Sequence, residues 1–468
     1  MEIALFGIGS LLVALSPSFG FYLFARVVQA LGGGGIFIIG SSHILSTVEP
    51  DKQAKYLGLL GAMNGIAAVL GPNIGSLLLD LTGKWHVLFL INVPIAIVLF
   101  ILGLRKLEES SDPSPGRLDL IGTIILSLGI LSLMLGLTNI DVDFVKSLTR
   151  PNAWGYLLGG VGLLSLLLFL EGKMERNQSG DPILPIRLIK QPRYLMVLLI
   201  GTLSGGLLAA MIYIPSFTEQ VLGISAENSG YWMTPLALAA GLGAGLGGML
   251  VSKRGPVFTV IMSGLIAAIG FMLFPLWLET RWQFIIASAV AGVGIGVILG
   301  APLNILATEG LKKDKGSALA SLSLLRQIGM TLAPAIYAGF IARAFNNLGT
   351  LFAEKFPGIL QQNLAGVTLS ADAQAELAQI GQRMSSGTSG VSESELSGKL
   401  GAIQDPTLKQ VLGDSVAEVT KMAAQTGFGG LYWTAAILGM GIIGGGALIL
   451  IPLRRKSLQG GKVKEETV

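Results

Sequence analysis

Two arginines in this chain lie inside apolar stretches, where a guanidinium costs about 2.5 kcal/mol or more unless it faces protein or water. Arg26 sits in FARVVQALGGGG, about 10 Å from the predicted outer end of its helix at ~1.5 Å per residue. Gln29 and Gly33 fall on its face at helical spacing, so the guanidinium has a polar neighbour. Such a pair suits proton coupling or gating; snorkelling to the outer interface is the alternative reading. Arg326 and Gln327 repeat the situation in the second half, with Ser321 and Ser323 nearby. That face, together with Asn64, Trp232 and Asn304, is the predicted lining of a substrate cavity. Trp232 opens its helix and reads also as an interfacial aromatic.

Other chemistries are excluded by what the chain lacks. It has no Cys and two isolated His, which removes disulfides, thiol-ligated metals and a zinc site. No nucleotide-binding loop or Ser/His/Asp set is present, and Gly32 to Gly35 lie within an apolar helix instead of following a strand. We therefore expect no enzyme, no cofactor and no metal. The carboxylates Asp80, Glu171, Glu219 and Glu309 fall near predicted helix ends, and none reads as an obvious buried proton site.

The elements that must position these residues are membrane helices. Of 468 residues, 51% are hydrophobic and 13% charged, against roughly 25% charged in soluble domains, and mean hydropathy is +0.69. Spans near the ~20 residues needed to cross a bilayer are predicted at 2–17, 20–45, 55–80, 86–104, 118–139, 155–171, 194–216, 228–251, 257–278, 282–306, 316–343 and 428–453. Basic residues fill alternate connections, including Lys52 and Lys55, Lys253 and Arg254, and Lys312 to Lys315. The positive-inside rule assigns that side, and both termini, to the cytoplasm. A net charge of +4 needs no nucleic acid to explain it. No cleavable leader is expected, since Met1 runs directly into apolar sequence.

Within 55–80, residues Gly58, Gly61, Gly65, Ala68, Pro72 and Gly75 share one helix face almost free of side chains. Close backbone approach through small residues is how helices find partners in lipid. Pro72 is expected to kink this helix.

The motifs on these helices carry a resemblance. Gly71-Pro72-Asn73-Ile74-Gly75 resembles the antiporter motif of the major facilitator superfamily. Trp85 to Pro94, with Phe89, Asn92 and Pro94 in place, resembles a signature of its 14-helix drug:proton antiporter family. Arg26, Gln29 and Gly33 are similar to the family's fourth-helix motif, in which the Arg is associated with proton transfer. Gly248 to Gly255, with Lys253 and Arg254, resembles its cytoplasmic loop motif. Departures are Ala30, Ala67, Ser76, His86-Val87 and Ser252.

The resemblance implies an all-α major facilitator fold with about twelve transmembrane helices present and the family's first two missing. It implies an incomplete N-terminal bundle at 1–104, a central linker with two extra spans at 105–193, and a C-terminal six-helix bundle at 194–468 with a large outer loop at 344–427. Ser370 and Ser392 are predicted helix caps in that loop. The implied function is proton-coupled efflux of drugs or other small lipophilic molecules across the cytoplasmic membrane by alternating access. Partners would be substrate, protons, the bilayer and, through the outer loop, a periplasmic adaptor protein. A truncated, transport-incompetent membrane protein or assembly partner is the alternative.

Overall fold

The computed structural model describes residues 1–106, 119–139, 151–177, 183–184, 186–277, 280–311, 315–365, 367, 373–374, 377 and 405–465. Side chains at 62, 64, 65, 68, 69, 72, 76, 80, 106, 151, 152, 226, 227 and 451–465 lie outside that description, as do the predicted caps Ser370 and Ser392. Asn64, Gly65 and Pro72 are thus known only as backbone within a helix.

The first six helices are α1 (Glu2–Ala14), α2 (Phe19–Gly33), α3 (Ile36–Thr47), α4 (Pro50–Thr82), the short α5 (Val87–Leu90) and α6 (Asn92–Lys106). Next come α7 (Leu120–Thr138) and α8 (Pro151–Asn177), which pack on each other. The second half holds α9 (Pro192–Ala210), α10 (Thr234–Arg254), α11 (Pro256–Trp277), α12 (Arg281–Leu299), α13 (Pro302–Thr308), α14 (Lys315–Asn346), α15 (Leu348–Leu364) and α16 (Pro406–Glu465).

Ten segments among the described residues are long and apolar enough to cross a membrane, fewer than the twelve expected. The difference lies at the first and third predicted spans. Helix α1 has only 13 residues, and α4, at 33 residues, is long enough but is not among the ten.

Helices α9 to α14 and α16 share the largest core, which includes Tyr337, Tyr432, Phe271 and Phe284, all fully buried. Small residues let their backbones meet: a Cβ at Gly205 of α9 would run into the Arg326 carbonyl of α14, and one at Gly329 into the Thr202 carbonyl. In the first half α1 lies between α2 and α6. Helix α4 turns away from that trio and lies mainly along α10 of the second half.

Three boundaries differ from the sequence expectation. The span 20–45 is two helices, with the break at Gly34 and Gly35. The span 282–306 is likewise divided, between Leu299 and Pro302. The last helix begins at Pro406, where the Asp405 carboxylate accepts from the Leu408 amide at 2.9 Å, and not near 428. Its 60 residues exceed what a ~30 Å hydrocarbon layer requires, and its first turns lie ahead of the predicted span. There they pack on α15 through Leu408, Leu412, Phe352 and Phe356. Gly427 and Gly430, next to the predicted start at 428, let α14 approach at Ile341 and Phe340.

Candidate functional site

Arg26 is the head of a polar chain that crosses three helices. Its Nη1 donates to Gln29 Oε1 at 2.8 Å, and Gln29 Nε2 donates to Ser10 Oγ of α1 at 2.7 Å. From α6, Asn92 Nδ2 reaches the same Ser10 Oγ at 3.5 Å. Gln29 is 6% exposed and Ser10 fully buried, so these bonds sit where a lost partner costs most. Arg26 is an exposed residue, its guanidinium carbon 5.5 Å from the Phe89 ring centre and 6.0 Å from that of Tyr22. Both distances suit cation–π attraction. Close packing of α1 on α2 makes the chain possible, since a Cβ at Gly9 would strike the Gln29 backbone. Gly33, the third residue of that motif, faces Phe6.

The sequence placed Arg26 and Gln29 in one motif and Asn92 in another, and the structure joins the two through Ser10. Ser10 was missed, because a serine in an apolar helix gives no spacing signal. Trp85, 40% exposed, stacks on His86 with ring centres 3.8 Å apart and meets Tyr22 edge-on at 5.8 Å. Pro94 is exposed in the first turn of α6.

Arg326 occupies a second polar site, between the halves. Its Nε donates to Ser204 Oγ at 3.3 Å. Arg326 lines a cleft with Ser323, Asn304 and Ser41, the last from α3 of the first half. Two predicted cavity residues do not join it. Gln327 is exposed, being one residue round the helix. Trp232 packs edge-on against Phe284, ring centres 5.4 Å apart, in the aromatic core of the second half.

The small-residue face of α4 divides along its length. At its start, a Cβ on Gly58 would come within 3.1 Å of Gly248 Cα, and one on Gly61 within 3.0 Å of Gly300 Cα and 3.1 Å of Ala244 Cβ. Towards its end, Asn73 Nδ2 donates to Thr234 Oγ1 of α10 at 3.3 Å. Gly58 opposite Gly248 and Asn73 opposite Thr234 define one antiparallel register over four turns. Gly71 has open space beside it, and Gly75 looks toward Leu88 at 3.8 Å. Of the predicted stripe, Gly58 and Gly61 thus lie in the seam with α10 and Gly75 faces α5, while the side chains at 65, 68 and 72 are outside the description.

The loop after α10 turns at Gly255, whose φ of 83° lies in the left-handed region that favours glycine. Lys253 and Arg254 are exposed, with the Arg254 guanidinium 5.7 Å from the Phe258 ring centre. Gly248 of this loop motif and Gly58 of the α4 face are therefore in contact, two features read independently from the sequence.

The carboxylates also need correction. Glu171 of α8, read as a helix-end residue, is fully buried. One oxygen accepts from the Ile183 amide at 3.2 Å, while the other has no partner. Glu309 is paired with Arg193 at 2.5 Å. No group of three or more His, Cys, Asp or Glu that could hold a metal occurs among the described residues.

Comparisons with known proteins agree with this architecture. Residues 3–334 match the Major Facilitator Superfamily model. The uncharacterized MFS-type transporter YfiU of Bacillus subtilis (strain 168) is 53% identical over 349 residues, 75% of this chain and 67% of that one. Multidrug resistance protein 3 of the same organism is 26% identical over 353 residues, 73% of this chain and 66% of that one. Its Multidrug transporter protein MdtP is 28% identical over 311 residues, 65% of this chain and 56% of that one. The alignments thus span about two thirds or less of these relatives' own lengths. A solved bacterial homologue of the human lysosomal transporter Spinster aligns over 94% of this chain and 82% of that one, at 17% identity and a TM-score of 0.43. On the family model and the 53% relative, the chain belongs to the Major Facilitator Superfamily: it is an all-helical, multi-pass membrane protein of a transporter family and not an enzyme.

Proposed function

We propose that this protein exports small amphipathic molecules across the cytoplasmic membrane in exchange for protons, by alternating access of a cleft between its two halves. The observation that carries the reading is the chain from Arg26 through Gln29 and Ser10 to Asn92. A cation whose orientation depends on residues from three helices can report its state to all of them. Distant relatives named as multidrug proteins add support for efflux. In this reading Arg26 and Gln29 serve proton coupling or gating, the α4–α10 seam limits leak, and the Arg326 cleft meets substrate. Residues 1–104 and 194–468 would form the two moving bundles, joined by 105–193, with both termini cytoplasmic. The 344–427 region would face outward, where a periplasmic adaptor could dock.

The test uses everted membrane vesicles containing the full chain, acidified inside by respiration, with a pH-sensitive dye as reporter. Adding an amphipathic substrate should dissipate the gradient, and Arg26→Gln should abolish that response at equal protein level. Uptake of the substrate into the vesicles that continues undiminished after an uncoupler has collapsed the gradient would overturn proton coupling.

A further inference from the structure

Helices α7 and α8 form a tight pair. Ser132 Oγ donates to the Tyr156 carbonyl at 2.7 Å, and a Cβ at Gly136 or at Gly160 would lie 2.9 Å from the backbone nitrogen of Leu157 or Leu133, respectively. Two glutamates one turn apart on α8 hold the chain that leads on to the second half. Glu171, fully buried, accepts from the Ile183 amide at 3.2 Å. Glu175 accepts from the Arg187 amide at 3.0 Å and pairs with that residue's guanidinium at 3.4 Å. Beyond this segment stands α14. Its Ser321 Oγ, fully buried, lies 3.3 Å from the Ile183 carbonyl and 2.8 Å from the Ser317 carbonyl of its own helix, so its one proton can serve either. Around these bonds Leu126 of α7, Leu167 of α8 and Leu184 form a small core against which Leu324 and Leu325 of α14 pack. Gly122 leaves room for Ile183, whose Cδ1 would lie 3.2 Å from a Cβ there. Among the described residues none from α1 to α6 joins this core. Helix α7 packs along α14, and neither α7 nor α8 has a comparable seam with α1 to α6.

Apolar helices gain no hydrophobic energy by leaving lipid for protein, so packing and hydrogen bonds of this kind decide which bundle such a pair stays beside. Ile183 is gripped from two helices, its amide by Glu171 of α8 and its carbonyl within reach of Ser321 of α14. A buried amide left without its acceptor is costly, so Glu171 fixes the spacing between α8 and this segment. We infer that Glu171 is a positioning residue that fastens the α7–α8 pair to the second bundle, so that the pair and residues 194–468 move as one body. The first bundle then moves alone against them. Residues 105–193 are not a neutral joint in this arrangement, since the division between the moving bodies falls between α6 and α7. Leu325 directly precedes Arg326, so the pair also backs the helix that carries the polar site between the halves. The consequence for movement rests on the alternating-access reading; the attachment itself does not.

Spin-label distances in the full chain, reconstituted in nanodiscs, decide it. Thr47 at the end of α3, Arg176 on α8 and Lys253 on α10 are exposed, and the sequence holds no native cysteine to compete with labels placed there. Between acid and alkaline pH the Thr47–Lys253 distance should redistribute between two populations. Over the same range Arg176–Lys253 should keep one narrow distribution, and Arg176–Thr47 should follow Thr47–Lys253. Glu171→Ala should raise the share of longer Arg176–Lys253 distances about threefold or more, in line with one lost hydrogen bond. Glu171→Gln, whose side-chain oxygen can still accept from the Ile183 amide, should restore the narrow distribution. The three distances in the parent protein test the common movement even where the alanine variant does not fold. An Arg176–Thr47 distance that stays fixed while Arg176–Lys253 changes would place the pair on the first bundle and overturn the inference. An Arg176–Lys253 distribution that Glu171→Ala leaves unchanged, or that Glu171→Gln broadens equally, would overturn the role of Glu171. A single Thr47–Lys253 distance at every pH would count against alternating access instead, and the alanine and glutamine variants would still decide the attachment.

Discussion

At the scale of single residues, Ser10 has the largest consequence for its size. One hydroxyl receives the amide of Gln29 at 2.7 Å and that of Asn92 at 3.5 Å, so it fixes two motif residues at once. Removing it leaves two amide donors in a buried setting, each at a cost of about 1–3 kcal/mol. Ser10→Ala should therefore lower the melting temperature of the detergent-purified protein by several degrees. It should also reduce proton-coupled transport more than Ser323→Ala does, since Arg26 loses the partner that orients Gln29. A variant equal to the parent in both would show that Arg26 needs no such support. The charged residues around this site were legible because an intramembrane arginine is rare and helical spacing says what shares its face. Ser10 was not, because tertiary contact alone gives a small hydroxyl its meaning. The same holds for Ser41 opposite Arg326, and for Glu171, whose burial depends on the segment at Ile183 and Leu184 folding back over it.

At the scale of the helix, composition indicates which stretches lie in lipid, while backbone contact decides where they break or continue. Gly34 and Gly35 sit in an unbroken apolar run, yet the helix divides there. Gly427 and Gly430 flank the predicted start at 428, yet α16 runs through them, with α14 packed against that face. Glycine has the same spelling in both cases, so only the neighbour separates break from contact. The α4 stripe shows the same limit. Of its members, Gly58 and Gly61 meet α10 and the turn at Gly300, whereas Gly75 meets the side chain of Leu88 in α5. These contacts give a direct prediction. Gly61→Leu adds a side chain where even a Cβ would lie 3.0 Å from Gly300 Cα, so α4 must move away from α10. The variant should reach the membrane in normal amount, lose at least tenfold in export, and let protons leak into vesicles faster than the parent. Normal leak together with normal export would remove this seam from the mechanism.

At the scale of the molecule, the halves meet in few places, so each contact between them weighs on which face is open. The α4–α10 seam is the longest. A second is a single cation: Lys315 Nζ, at the start of α14, donates to the Leu45 carbonyl near the end of α3 at 3.1 Å. Gln53 Nε2 shares that carbonyl at 3.3 Å and reaches the Val48 carbonyl at 2.8 Å. The last carbonyls of a helix carry partial negative charge and lack internal donors, so a lysine from the opposite half is a favourable cap that exists only while the halves are together. In the proposed topology this end is cytoplasmic, and there the contact would act as a latch on the inward-facing opening. A charged hydrogen bond of this kind contributes about 1.5–3 kcal/mol, enough to move a two-state balance roughly tenfold or more. Lys315→Met should accordingly raise the population open to the cytoplasm. The chain has no native cysteine, so spin labels on cysteines introduced at exposed Thr47 and Gln191 report the separation of the halves without background. We expect a longer-distance population to grow about tenfold relative to the closed one. An unchanged distance distribution would mean that the α4–α10 seam alone holds this side shut, and that Lys315 serves only to finish the α3 helix.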